Sequence, residues 1–75
     1  MKNILIPTNL KILRILSGNT QKDISEILDL SMVQYSKKEK GKAPFSLAEA
    51  KKLSEYFNIT IEEIFFASNN FIMRT

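Results

Sequence analysis

Cysteine and histidine are both absent from these 75 residues. Their absence removes disulfides, thiolate or imidazole metal sites, the commonest general base and the commonest nucleophile. Carboxylates and lysines remain, but no pair of them is spaced for chemistry. Neither an enzyme nor a metal or other cofactor is expected. Long apolar runs are lacking as well. Residues 1–7 hold only three consecutive apolar side chains, Ile4 to Ile6, too few for a signal-peptide core or a membrane span. Repeats, low-complexity tracts and long linkers are missing too. A cysteine-free composition fits a reducing cytoplasm.

What is present is a chain that should fold. Hydrophobic residues make up 44% of it, enough for one small core. A domain this short buries only about 60% of its unfolded surface, so helix caps and partner subunits matter. The net charge of +3 is modest, but Lys37, Lys38, Lys40 and Lys42 fall close together, opposed only by Glu39. Such a cluster has two readings: an anionic partner, nucleic acid first among them, or a solvated helix end where lysines favour the dipole.

Helix starts punctuate the sequence. The pattern Ser or Thr, two residues, then an acid or amide marks a capping box. It occurs at Thr20–Asp23, Ser31–Gln34, Ser46–Glu49 and Thr60–Glu63. Phe45 with Ala50, and Ile59 with Ile64, have the spacing of hydrophobic staples. Gly18 and Gly41 suit left-handed helix ends, as does Asn58. The pattern predicts five helices at about 9–17, 21–28, 32–40, 47–57 and 61–66. Leu10, Leu13, Ile24, Leu28, Leu30, Tyr35, Leu47, Leu53, Phe57, Ile61 and Ile64 are the predicted core. Strand signals are confined to 4–6 and 71–73.

Only Asp29 and Leu30 separate the second helix from the cap Ser31. So short a joint makes the helices cross steeply, as in a helix-turn-helix. It needs a residue that tolerates positive φ, which Asp29 does at modest cost. Small Ser25 suits the crossing point, with Ile24, Leu28, Leu30 and Tyr35 along the seam.

The segments "NLKILRILSGNTQKDISEILDLS", "YSKKEKGK" and "FSLAEAKKLSEYFNITIEEIFF" together resemble the lambda-repressor-like family of helix-turn-helix regulators, also called Xre or Cro/CI. The resemblance spans Asn9 to Phe66 and implies an all-α, compact five-helix fold that binds DNA. It also implies roles at matching positions. Gln21 would bond a phosphate at the start of helix two. Arg14 and Glu39 would form an ion pair holding the recognition helix to the scaffold. Exposed residues near the start of helix three would face base edges: Met32, Val33, Gln34 and Lys37. Lys37 suits guanine, Gln34 adenine, and the two apolar residues the thymine methyl. For Val33 the alternative is packing toward helix two. Ser31, Ser36, Lys40 and Lys42 join Gln21 as expected phosphate contacts. Three positions depart from the family pattern: Lys38 in place of a core residue, Asp29 in place of the turn glycine, and a short loop at 42–44 lacking an arginine. For Lys38 the expected arrangement is a stem across the core with the amine outside.

The expected organisation is an N-terminal arm at 1–8, a DNA-binding domain at 9–66 and an apolar tail at 67–75, with no separate ligand-sensing or autocleavage domain. Ile61, Ile64, Phe65 and Phe66, with Phe71, Ile72 and Met73, supply material for a homodimer seam. Alternatively the tail folds back on Ile4–Ile6. The leading functional expectation is a cytoplasmic, nucleoid-associated transcriptional regulator of the phage or mobile-element repressor type. It would bind pseudo-palindromic double-stranded DNA, with no membrane partner and no small-molecule ligand. A restriction-modification controller shares these features. An antitoxin-like protein-binding module is the rival from another class.

Overall fold

A computed structural model describes residues 6–7 and 9–66 of the chain. Among them lie five helices: α1 (Leu10–Leu16), α2 (Gln21–Ile27), α3 (Met32–Glu39), α4 (Leu47–Phe57) and α5 (Ile61–Phe65). The expected arm lies almost wholly outside the described residues, and the tail with Phe71, Ile72 and Met73 entirely so.

Four of the five helices begin in a complete capping box, at Thr20, Ser31, Ser46 and Thr60. In each, the hydroxyl accepts from the amide three residues on, and that residue's side chain accepts from the cap amide. Two orphan donors per helix are thereby satisfied. The start of α1 is held differently. Asn9 has no capping side-chain bond; its amide donates to the Ile64 carbonyl at 3.1 Å and its Nδ2 to the Glu63 carbonyl at 2.7 Å. Asn9 thus pins the beginning of α1 to α5, and it is fully buried.

The first four helices stop by a common device. At Gly18, Asp29, Gly41 and Asn58 the backbone turns to positive φ. The next residue's amide then reaches back to the carbonyl five residues earlier, as in Leu30 to Ser25 at 2.9 Å and Lys42 to Lys37 at 2.9 Å. This is the Schellman closure. At Gly41 the requirement for glycine is double, because an added Cβ would also come within 3.1 Å of the Ile6 side chain.

The core draws on every helix: Leu10 and Leu13, Ile24 and Leu28, Tyr35, Ala50 and Leu53, Ile64 and Phe65. Phe45 enters it from the loop before α4. Its ring packs 6.2 Å from that of Tyr35 and 5.7 Å, edge-on, from that of Phe65. One expected core residue is misplaced. Leu47 is 70% exposed, and the side chain buried at the start of α4 is Phe45, two residues earlier, packed against Tyr35 and Phe65. Leu30, Phe57 and Ile61 sit half-buried at the core's edge. The expected dimer seam needs a similar correction: Ile64 and Phe65 are already buried within one chain and Ile61 is half-buried, so among its described members Phe66 alone is exposed, at 64%.

Candidate nucleic-acid interface

Residues 29–30 make α2 and α3 meet closely, and Ser25 sits at the crossing. It is 2% exposed, and its hydroxyl donates to the Lys22 carbonyl at 2.8 Å, so the small side chain satisfies itself locally. Asp29 takes the left-handed conformation at φ 60°. The turn is therefore built without glycine.

The far end of α3 is fixed through Glu39. Arg14 Nε donates to its Oε2 at 2.7 Å, Tyr35 Oη donates to the same oxygen at 2.8 Å, and Gln21 Nε2 donates to Oε1 at 2.8 Å. Arg14 also caps the loop after α1 by donating to the Asn19 carbonyl at 3.0 Å. One carboxylate thus joins α1, α2 and α3. Its side chain is only 2% exposed. Burial by itself pushes the Glu39 carboxyl up, but the bonds from Arg14, Gln21 and Tyr35 outweigh it and hold the group below its ordinary value. Burial, and then the bond to Glu39, push the Tyr35 hydroxyl up. The bond to Glu39 likewise keeps Arg14 charged against desolvation.

With that end anchored, α3 offers its outer face as the floor of an open groove of about 440 Å³. Met32 and Val33 form an apolar floor, 49% and 66% exposed. Val33 therefore does not tuck against α2. Lys37, Lys40 and Lys42 line the same groove, together with Ser36 and, from α2, Gln21. Gln21 keeps one of its two amide protons for Glu39, leaving the other for a ligand.

Two expected base or phosphate contacts stand apart from this groove. Ser31 and Gln34 are bound to each other: Gln34 Oε1 accepts from the Ser31 amide at 3.0 Å, and Ser31 Oγ accepts from the Gln34 amide at 3.1 Å. Neither lines the groove. Lys38 points elsewhere too. Its ammonium pairs with Glu49 Oε1 at 2.7 Å and lies 5.8 Å from the centre of the Phe45 ring, so it bridges α3 to α4. The lysine cluster thus divides into three side chains that face the groove and one that staples the scaffold.

The roles of Gln21 and Tyr35 at Glu39, of Asn9 at α5 and of Glu49 at Lys38 escaped sequence reasoning. The capping pattern that identified Glu49 also concealed its second partner, since Oε1 accepts from the Ser46 amide and from Lys38 at once. For Tyr35 a signal existed, a phenol one helical turn before an acid on the same face.

Among the described residues there is no group of three or more potential metal-ligating side chains, and no helix is long and apolar enough to cross a membrane. A family model described as helix-turn-helix matches residues 10–64, which takes in all of α1 through α4 and most of α5. No curated protein matches the chain.

Proposed function

The chain belongs to the helix-turn-helix family of Xre/Cro/CI-like, DNA-binding transcriptional regulators, and from that we propose that it is a sequence-specific repressor of the phage or mobile-element type. The observation that carries this reading is the groove on α3, lined by three lysines and two exposed apolar side chains. Cations at the rim suit phosphates, and a narrow apolar floor suits base edges in the major groove. Lys37, one helical turn on from Val33, donates to a base. Lys40, Lys42, the second amide proton of Gln21 and the Ser36 hydroxyl hold the backbone, while Ser31, bound to Gln34 outside the groove, does not. Phosphate contacts of this kind set register without reading sequence.

One α3 covers only a few base pairs. Two copies on a pseudo-palindromic operator, with half-sites about 10 bp or roughly 34 Å apart, supply enough specificity. Bound there, the protein acts by covering a promoter. Selection of bound sequences from a random duplex pool tests binding, symmetry and spacing together. The expected product is a palindromic consensus with about one helical turn between half-site centres. A pool that stays random, or a consensus with no symmetry, contradicts the proposal.

A further inference from the structure

Helical spacing puts Val33, Lys37 and Lys40 on one stripe of α3, at intervals of four and three residues, with Met32 at its edge. Gln34 lies about 100° around the helix from Val33, and its carbonyl oxygen is already held by the Ser31 amide. A glutamine reads adenine by accepting from N6 while donating to N7. Gln34 would have to break its cap to do so. Of the side chains expected to meet base edges, those left are Met32, Val33 and Lys37, which carry two apolar surfaces, one donor and no acceptor stronger than the Met32 thioether, with Ser36 lining the groove beside them.

We infer that the half-site is recognised chiefly by pyrimidine C5-methyl groups packed on Met32 and Val33, beside a guanine held by Lys37, while Gln34 serves the fold and reads no base. The C5-methyl is the only apolar group on a base edge in the major groove. The charge of Lys37, Lys40 and Lys42 in the same groove favours duplex DNA over an apolar peptide as the occupant of this floor. The methyl is the same group on thymine and on 5-methylcytosine. Recognition of this kind therefore extends to methylated cytosine at the same position, which makes binding sensitive to cytosine methylation.

This inference rests on the proposed DNA binding, and its test separates the two. On the selected operator, each thymine is replaced by uracil, which removes only the methyl. At one or two positions per half-site, affinity should fall about fourfold per methyl buried. The same replacements should have no effect on the M32A/V33A double variant, whose altered side chains are exposed. At a uracil-sensitive position, 5-methylcytosine paired with guanine should bind about fourfold better than cytosine. Q34E keeps a capping-box residue and should leave the selected consensus unchanged. If uracil is neutral at every position, if 5-methylcytosine and cytosine bind alike, or if Q34E changes the consensus, the inference is overturned while DNA binding stands. If no duplex binds, the proposed function fails and the inference with it.

Discussion

Glu39 is the residue on which the geometry of the reading helix most depends. Its carboxylate accepts from three helices, and none of those donors can be removed without leaving charge or polarity buried. Arg14→Met leaves the carboxylate with two neutral donors, and the expected loss is about 3 kcal/mol in urea unfolding. Arg14→Lys should recover part of it, since it keeps the charge but loses the guanidinium geometry. The same residue sets an acid limb. The fold holds Glu39 below its ordinary value of 4.5, so its stabilisation is complete above that value. It disappears as acid protonates the folded carboxyl. Glu49, where burial is outweighed by Lys38 and the Ser46 amide, titrates in the same sense. The urea midpoint should be level from neutrality to about pH 5 and decline below it, more shallowly in Arg14→Met. A midpoint that rises on acidification would contradict this. Sequence spacing alone shows little of this network. Gln21 and Glu39 are separated by 18 residues, and only the crossing of α2 and α3 brings them together.

At the level of elements, most of the fold was legible because the relevant chemistry is local. A capping box is four residues long, and each of the four placed its helix start where the structure has it. Helix ends were less sharply marked, because a Schellman turn requires positive φ but not a fixed residue. Two of the four positions are glycine, one is Asn58 and one is Asp29. Helical periodicity shows which face of α4 turns inward but not that Phe45, from the loop before it, rather than Leu47, is buried at its start. Asn9 gave no sign of its role, since its partners are backbone carbonyls 54 residues or more away. The Asp29 turn carries a prediction of its own. Left-handed backbone costs an L-residue roughly 1–2 kcal/mol, less for aspartate, whereas glycine adopts it freely. Asp29→Gly should therefore stabilise the domain by about 0.5–1 kcal/mol, raising Tm by roughly 2–8 °C. The change leaves every side chain of the groove in place, so DNA affinity should not alter. A lowered Tm would show that Asp29 makes a contact worth more than its strain.

For the molecule as a whole, the proposed function turns on how one set of lysines is divided. Composition showed the cluster, but not that α4 claims Lys38 through Glu49 while Lys37, Lys40 and Lys42 face the groove. That division depends on tertiary packing, which charge counting does not register. Burial of Ile64 and Phe65 likewise depends on the closed core, so the proposed dimer would have to form through other surfaces, with the exposed Phe66 a candidate for one of them. The most direct test of the central claim is the salt dependence of binding to the selected operator. If each of two subunits neutralises three or four phosphates, the slope of log affinity against log salt should be about −6. Lys42→Ala should make that slope shallower by about 1 per subunit, and Lys38→Met should leave it unchanged. A flat response, or an equal change from Lys38→Met and Lys42→Ala, would contradict the assignment of the α3 groove to DNA.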